Sequence, residues 1–379
     1  MRQERVARLF KEKFGGEPAL WSRAPGRVDL MGSHTDYNLG FVLTLSISRD
    51  TWVAARPRED RIVRLYSANL DSRESFDLRA IAVRGNSGAR WGDYPRGVAW
   101  ALAAERLPLG GFDGVIHSTV PIRSGLSSSA ALECAVAVMF RALGGWEMSG
   151  ERLAWLCQRA ENEYVGMNCG ILDQFSSCLG RAGCALLLDC RDLSTRPVRL
   201  AEGIRAVTCD TKSPRELVGG EYGARRARCE EGAALLGVRA LRDATMAHVA
   251  TLSGEVRKRC EFIVGENERV LAMSDALAAG DRGAIGRLCA ESFAGARDLY
   301  EICSPSMLTM MEAMMAAPGA IGARQAGAGF GGCMVAFVET GKTDEFAAAT
   351  SEDYNKKTGL TPEIYPVEAV DGAALMPVV

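Results

Sequence analysis

The first 14 residues place apolar side chains at helical spacing. Val6, Phe10 and Phe14 fall on one face and two glycines follow, so the pattern predicts a helix that leads into a strand. Alternating and β-branched residues predict strands farther along the chain, at 51–55, 61–66 and 114–120. The first half is therefore expected to combine a mixed sheet with helices.

Two helices and two strands are predicted next. The apolar run from Ser127 to Leu143 opens with three serines, which indicates a buried helix with a hydroxyl-rich N-terminus. A second helix is expected to begin after a Ser149 cap and to end at Gly166. Short apolar runs between turn residues predict strands at 183–190 and 203–209.

The pattern changes beyond residue 212. Long helices with short connections are expected there, with strands near 333–339 and 363–367. The change predicts two domains, 1–200 and 201–379.

Composition limits the classes of function. The 379 residues are 47% hydrophobic and carry a net charge of -2, which suits a soluble protein with a full core and gives no electrostatic case for nucleic acid or an anionic membrane. No apolar run reaches membrane-spanning length and no signal-peptide core is present, so a cytoplasmic monomer that binds small molecules is expected.

Cysteine and histidine usage narrows the chemistry further. The 12 cysteines lie in apolar contexts without a C-x-x-C pair, and we interpret them as reduced core residues. Only three histidines are present, without paired metal-ligand spacing, so a zinc site is not expected. Any metal is expected to be a hard cation carried by a phosphate group.

Polar residues are dense between Arg23 and Asn38. Arg27, His34 and Asp36 stand there among turn-forming residues. Charges of this kind are costly to bury without partners, and a sugar with many hydroxyls is a natural partner. Taken alone, the segment fits a solvated loop equally well.

Two further segments have the composition of a ligand-binding loop. The serines at 127–129 open a helix after a strand, where backbone N–H groups and the helix dipole favour an anion such as a triphosphate. The spacing matches neither a Walker motif nor G-x-G-x-x-G, and a capped core helix explains it at least as well. The segment 322–333 contains five glycines, which allow a backbone to approach a ligand closely.

One acidic residue stands out beyond these loops. Asp173 lies in a largely apolar stretch, where an isolated carboxylate is expensive to bury. It is therefore expected either to pair with a cation or to be positioned for chemistry.

Together these segments resemble the three motifs of the GHMP small-molecule kinases over nearly the whole chain. The stretch from Gly26 to Tyr37 is similar to the galactokinase signature, and the stretch from Glu221 to Glu231 is similar to that family's sugar-contacting tyrosine segment. The resemblance implies an α+β, two-domain GHMP kinase fold. Its N-terminal domain is ribosomal-protein-like with a βαβ unit, its C-terminal domain is a ferredoxin-like α/β sandwich, and the active site lies at their interface.

The resemblance also implies roles for matching residues, with ATP and Mg²⁺ as cofactors and a monosaccharide as substrate. Asp173 would accept the proton of the anomeric hydroxyl, and Arg27 would keep Asp173 ionised and steady the transferring phosphoryl group. Ser129 and Glu161 match magnesium-coordinating positions. The other implied contacts fall into two sets. Those to nucleotide are Trp91, Tyr94, Gly125, Leu126, Ser127, Ser128 and Ser129, and those to the sugar are Ser33, His34, Asp36, Gly170 and Tyr222.

Because of departures from the family pattern, the resemblance does not determine which sugar is the substrate. Ser33 stands where galactokinases usually have an acidic residue that contacts the exocyclic end of galactose, and Asp29 replaces the usual asparagine. Losing that acceptor is expected to weaken the preference for a hydroxymethyl group and to ease repulsion of a carboxylate. Arg123 and Ser124 also replace small or glycine residues, and Arg123 is expected to add a phosphate contact or face solvent rather than bind a uronate.

The sequence therefore predicts a sugar-1-kinase, with galactose as the leading substrate. Galacturonate and arabinose are alternatives with the same chemistry. A non-catalytic sugar sensor is an alternative of another class, and the presence of Arg27, Asp173, Glu161 and the serine-rich loop argues against it.

Overall fold

The structure is a computed structural model that describes residues 2–81, 90–122, 124–213 and 220–377. Arg123 lies outside the described residues. Two sheets organise the chain. Strands of the first sheet are β1 (Leu20–Met31), β2 (Phe41–Arg58), β3 (Ile62–Ser67), β4 (Ser72–Asp77), β5 (Gly111–Ser118), β6 (Cys184–Asp189), β7 (Thr195–Arg199) and β12 (Ala374–Met376). Strands of the second sheet are β8 (Ile204–Asp210), β9 (Ala320–Gln325), β10 (Cys333–Glu339) and β11 (Glu363–Pro366).

The first sheet is mixed, as the sequence predicted. Its strands run in the order β12-β1-β2-β5-β3-β4. β6 pairs with the N-terminal end of β2 on one edge and with β7 on the other. β3 and β5 are parallel, whereas the remaining described pairs are antiparallel. The long strand β2 therefore connects the two halves of this sheet.

Helices pack against both sheets. In chain order they are α1 (Arg2–Phe14), α2 (Asp93–Ala104), α3 (Ser128–Gly144), α4 (Gly150–Arg159), α5 (Leu172–Leu179), α6 (Glu221–Leu235), α7 (Met246–Val249), α8 (Gly254–Ala279), α9 (Arg282–Asp298), α10 (Pro305–Ala316) and α11 (Thr343–Thr358). α3 packs on β1 and β2, α1 lies on the opposite face of the first sheet, and α9 packs on β9. Among the described residues, no helix is long and apolar enough to cross a membrane.

A continuous apolar core joins the two sheets. Val28 and Leu30 of β1 belong to the same buried cluster as Val335 and Phe337 of β10 and Ile285 of α9. The second sheet is antiparallel, in the order β11-β8-β10-β9, and the change from the first sheet to the second occurs between Arg199 and Ile204. The segment after β11 returns to the first sheet, since β12 pairs with β1.

Most predicted elements are confirmed, but one helix ends differently and several elements were not predicted. The second helix does begin at a Ser149 cap, but its last turn from Ala160 to Val165 is a π-helix that ends at Gly166. Four strands, β4, β7, β9 and β12, and two helices, α2 and α5, were not predicted. β9 was hidden because its sequence merges with the glycine-rich segment, and β12 because a strand of three residues has no measurable period.

Candidate active site

Arg27 lies on β1 and is 6% exposed. Its Nε and Nη2 atoms donate to the same oxygen of Asp173, Oδ1, at 2.8 and 2.5 Å. Its Nη1 donates to the carbonyl of Gly125 at 2.6 Å. These bonds fix the guanidinium between α5 and the loop before α3, so it presents a positive charge where the two elements meet.

Asp173 is the second residue of α5, and its side chain is 24% exposed. It is therefore open to a ligand while its partner Arg27 is buried. Charge-assisted hydrogen bonds from arginine stabilise the ionised carboxylate. An oriented, ionised and accessible carboxylate can accept a proton from a hydroxyl group held beside it.

The loop before α3 has the geometry of an anion site. Ser127 takes a left-handed backbone conformation (φ 59°) directly before the helix, and the residue is 7% exposed. Within the described residues its Oγ has no hydrogen-bond partner. A buried hydroxyl without a partner at a helix N-terminus fits a phosphate group, since the first backbone N–H groups of a helix point to the same place.

The neighbours of Ser127 also point toward this site. The Leu126 carbonyl accepts a hydrogen bond from the Arg27 N–H at 3.1 Å, and the Leu126 side chain is buried. Ser128 and Ser129 form the first turn of α3. The loop is therefore fixed to β1 by backbone contacts.

The glycine-rich segment meets the same loop. A Cβ atom added to Gly327 (φ 74°) would lie 3.6 Å from the carbonyl oxygen of Gly125 and 4.0 Å from Arg27 Nη2. Arg27, Gly125 and Gly327, which are far apart in the sequence, therefore converge on one position. The prediction that the polar segment, the serine-rich loop and the glycine-rich segment serve one site is supported by this geometry.

Glu161 lies in the π-helical turn after α4 and is 5% exposed. Burial raises its pKa to about 7, and the charge of Asp173 acts in the same direction, while hydrogen bonds from Cys169, Ser129 and Gln174 oppose the shift. The Gln174 amide donates to Glu161 Oε2 at 2.6 Å. The carboxylate is therefore held close to Ser129 and Asp173.

This arrangement fits a magnesium ion that is shared with a nucleotide. Among the described residues, no group of three or more His, Cys, Asp or Glu side chains could hold a metal. Glu161 and Ser129 supply two oxygen atoms side by side, and Mg²⁺ commonly takes its other ligands from phosphates and water. A magnesium ion there would depend on the nucleotide for most of its coordination.

Tyr94 and Trp91 stand at the predicted nucleotide end. Burial raises the pKa of Tyr94, and the nearby Glu161 and Glu133 carboxylates add to the shift, so this ring lies on the Glu161 side of the site. Trp91 donates from Nε1 to Ser72 Oγ at 2.7 Å. Both side chains are half-buried at the start of α2. Their contact with adenine stays a prediction.

Four of the predicted sugar residues, His34, Asp36, Gly170 and Tyr222, lie close to one another. A Cβ atom added to Gly170 would be 1.6 Å from Asp36 Oδ2, so only glycine fits beside this carboxylate. The rings of His34 and Tyr222 are 5.2 Å apart. Burial raises the pKa of Asp36 to about 6, with Asp173 as a further cause, and burial lowers the pKa of His34 to about 4. The charge of Asp173 therefore acts on the nearby Asp36 carboxylate, and the His34 ring is neutral at neutral pH.

Sequence reasoning missed two aromatic side chains of this region. Tyr37 Oη is 2.8 Å from both His34 Nδ1 and Tyr300 Oη. The ring of Tyr300 is 4.8 Å from that of His34. Tyr37 follows Asp36 directly, so the motif could have indicated it. Tyr300 follows the end of α9, where no local sequence pattern indicates a site residue.

A second buried carboxylate was also missed. Glu133 on α3 is completely buried, and burial raises its pKa well above the usual range. Gln174 bridges it to Glu161, because the same amide nitrogen donates to Glu133 Oε2 at 3.0 Å. The apolar pattern of α3 hid this residue, because a single acid does not change the period of a buried helix.

Ser33 lies in the loop after β1 and is 2% exposed. Its hydroxyl donates to Asp29 Oδ2 at 2.7 Å and accepts from Arg324 Nη2 at 3.0 Å. Both contacts are to protein groups. The predicted contact of Ser33 with a sugar stays a prediction.

Comparison with known families gives the class. A model described as the GHMP kinases N terminal domain matches residues 93–181, and one described as GHMP kinases C terminal matches residues 273–356. The galactokinase galactose-binding signature matches residues 8–57. The two-domain GHMP kinase fold predicted from the sequence is thereby confirmed.

Relatives across the full length narrow the class to a family. Galactokinase of Chloroflexus aggregans is 46% identical over 97% of this chain and 95% of its own, and galactokinase of Roseiflexus sp. is 43% identical over 96% and 94%. The chain belongs to the galactokinase family and is an ATP-dependent sugar kinase.

Solved structures agree with this assignment. Lactococcus lactis galactokinase complexed with galactose superposes with a TM-score of 0.93 at 31% identity, covering 99% of this chain and 100% of the other. Methanococcus jannaschii mevalonate kinase, at 16% identity and a TM-score of 0.69 over 94% and 99% of the two chains, shares the fold.

Proposed function

We propose that this chain transfers the γ-phosphoryl group of ATP to the anomeric hydroxyl of galactose. The observation that carries the proposal is the accessible Asp173 carboxylate, held by Arg27 at the point where the loop before α3 and the glycine-rich segment meet. The match of residues 8–57 to a galactose-binding signature supports galactose as the sugar. The site lies between an N-terminal domain of residues 1–200 and a C-terminal domain of residues 201–379.

In the proposed reaction, the O1 hydroxyl of the sugar attacks the γ-phosphorus. A bond forms between O1 and phosphorus as the bond from phosphorus to the β,γ-bridging oxygen breaks, and the hydroxyl proton passes to Asp173. Galactose 1-phosphate and ADP result. Arg27 keeps Asp173 ionised and its charge lies beside the transferring group, so positioning and electrostatics supply most of the acceleration.

The nucleotide phosphates bind at the N-terminus of α3. Backbone groups from Gly125 to Ser129 surround them, and the unpartnered hydroxyl of Ser127 donates to a phosphate oxygen. Trp91 and Tyr94 flank the base. Ser129 and Glu161 would hold a magnesium ion, which would neutralise charge on the phosphates.

The sugar lies beside the Asp36 carboxylate. Asp36 and His34 contact its hydroxyl groups, Gly170 leaves room for the ring, and Tyr222 packs on it. The twelve cysteines are free and are buried or half-buried, which suits a reducing compartment, so we propose that the reaction takes place in the cytoplasm. We also propose that the enzyme is a monomer.

The proposal is tested by ATP consumption in the presence of magnesium with galactose, galacturonate, arabinose or no sugar. We expect galactose to support the highest kcat/KM. A preference for galacturonate or arabinose would overturn galactose as the substrate and keep the kinase chemistry. ATP binding without turnover on any of these sugars would favour a sugar sensor, which the ordered contact between Arg27 and Asp173 argues against.

A further inference from the structure

Arg324 of β9 is a completely buried arginine that the proposed reaction does not use. Its Nη2 donates to Ser33 Oγ and to Glu266 Oε1, each at 3.0 Å, and its Nε donates to Ser292 Oγ at 3.0 Å. Ser33 belongs to the loop after β1, Glu266 to α8 and Ser292 to α9. One guanidinium therefore ties the loop that carries the predicted sugar contacts to three elements from the second half of the chain.

Asp29 is the second carboxylate near this arginine. Its Oδ2 is 3.7 Å from Arg324 Nη1, which is too long for a hydrogen bond, and Ser33 Oγ closes the gap by bonding to both groups. Asp29 is 1% exposed. The serine hydroxyl therefore works as a bridge between a buried acid and a buried base.

The charges in this cluster balance in pairs. Glu266 accepts from Arg324 on Oε1 and from Arg269 on Oε2, the latter at 2.8 Å. Two arginines thus face two carboxylates, Glu266 and Asp29. Removing either carboxylate would leave an uncompensated buried charge, which is far costlier than replacing a complete pair.

Two atoms of the cluster lack partners. Within the described residues, neither Asp29 Oδ1 nor Arg324 Nη1 has a hydrogen-bond partner. The pair between Asp29 and Arg324 is therefore not saturated by its own contacts. Glu266 and Ser292 also hold Arg324, but the Ser33 hydroxyl bonds to both members of the pair and so sets their relative position.

We propose that Asp29 and Ser33 act as one positioning unit, in which Ser33 bridges Asp29 to Arg324 and thereby fixes the loop that presents His34 and Asp36 to the sugar. The carboxylate that faces Arg324 across this bridge is Asp29, four residues before Ser33. This inference rests on the proposed function for its kinetic consequence alone.

The decisive experiment exchanges the two positions. Asp29→Asn removes the carboxylate and Ser33→Glu adds one, so each single variant unbalances the cluster, whereas the double variant restores the balance with the acid at residue 33. We expect Asp29→Asn to raise the galactose KM about 10-fold, or to prevent folding, and the double variant to return KM to within about threefold of wild type. The KM for ATP should change less than about twofold in the double variant.

Thermal unfolding gives a readout that does not depend on the sugar. We expect each single variant to lower Tm by about 5–15 °C and the double variant to recover most of that loss. Strict additivity of the two Tm shifts would overturn the proposal, because independent sites add and coupled sites do not. If galactose is not phosphorylated by the wild type, the proposed function fails while this coupling can still be measured.

Two further variants guard against a merely structural effect. Ser33→Ala keeps every charge and removes the bridge, and we expect it to raise the galactose KM about 5-fold with the ATP KM unchanged. Asp113→Asn is the matched control, since Asp113 is equally buried and pairs with Arg56, Arg58 and Arg64 rather than with the site. It should lower Tm and leave the galactose KM unchanged. A Ser33→Ala enzyme with the wild-type galactose KM would overturn the bridging role.

Discussion

Two arginine–carboxylate contacts in this molecule have similar chemistry and different surroundings. Arg27 is buried, but its partner Asp173 is 24% exposed and one side of the pair is open. Arg324 and Glu266 are both 0% exposed, and further protein groups enclose them. The open pair can exchange a proton with a ligand, whereas the closed cluster can only fix the positions of the elements that meet there.

The comparison teaches that exposure of one partner separates a reactive pair from a positioning pair. A carboxylate that is enclosed on every side has no path to a substrate hydroxyl. A carboxylate open to solvent contributes little to stability, because water screens it. The open pair should therefore affect turnover, and the closed cluster should affect stability and loop position.

The largest effect is expected at the open pair. Asp173→Asn keeps the shape of the side chain and removes the proton acceptor, so kcat should fall by about 1,000-fold or more. ATP binding, measured by calorimetry, should stay within about threefold of wild type. Asp344→Asn, at an exposed acid in the first turn of α11, is the control and should leave kcat unchanged. An Asp173→Asn enzyme with near wild-type kcat would contradict the catalytic assignment.

Arg27→Lys tests the other half of the pair. Lysine keeps the charge, but it cannot reach Asp173 and the Gly125 carbonyl with the geometry of a guanidinium. We expect kcat to fall by about 100-fold, because the charge beside the phosphoryl group is displaced. Single-turnover kinetics would separate this loss from slow product release. A change confined to KM would show that Arg27 binds substrate without assisting transfer.

A smaller effect is expected from the pH dependence of Asp36. Its pKa is raised from 3.8 to about 6 by burial, so the carboxylate loses its proton as pH rises through that value. If the ionised form accepts a sugar hydroxyl, kcat/KM for galactose should rise about 10-fold between pH 5 and 7. His34, with a pKa of about 4, stays neutral over this range. Asp36→Asn should remove the rise, and a rise that persists would assign it to another group.

The linked effect on folding has the opposite direction. Between pH values near 4 and 6, the folded protein retains a proton on Asp36 that the unfolded chain has released. The contribution of this group to stability therefore falls as pH rises through that window. Asp36→Asn should flatten that part of a Tm profile against pH.

The smallest effect on activity is expected at Arg269, on the side of the closed cluster away from Ser33 and Asp29. Arg269→Met removes the outer partner of Glu266 and leaves the contacts of Arg324 in place. We expect the free energy of unfolding to fall by about 2 kcal/mol, with kcat and the galactose KM within about twofold of wild type. Denaturant unfolding with parallel kinetics would measure both. A large loss of kcat with normal stability would contradict the division between the two contacts.

The open pair of Arg27 and Asp173 could be predicted from the sequence, whereas the closed cluster around Arg324 could not. Arg27, Asp173 and the serine-rich loop each stand in segments with distinctive local chemistry, and a family resemblance linked them. Arg324 stands in a glycine-rich segment that was interpreted only as a close backbone approach. Its burial depends on contacts with Glu266 of α8 and Ser292 of α9. The local pattern of apolar and polar residues gives no information about contacts between distant elements.

The same reason explains the elements that were missed. Helical spacing of apolar residues predicted α1, and an apolar run that opens with three serines predicted α3. β12 is three residues long and exists because β1 offers it an edge. Tyr300 contacts His34 because α9 ends beside the loop after β1. β12 and the contact of Tyr300 therefore both depend on residues that are distant in the sequence.

The pairing of β12 with β1 has a consequence for synthesis of the protein on the ribosome. Within the part of the chain that the structure describes, residues 374–376 pair with Trp21, Ser22 and Arg23 at this edge of β1. At about 5–20 residues per second, tens of seconds separate the emergence of these two strands. A nascent chain therefore exposes the edge of β1 at Trp21, Ser22 and Arg23 for most of translation, and this is the interval in which we expect it to depend most on chaperones.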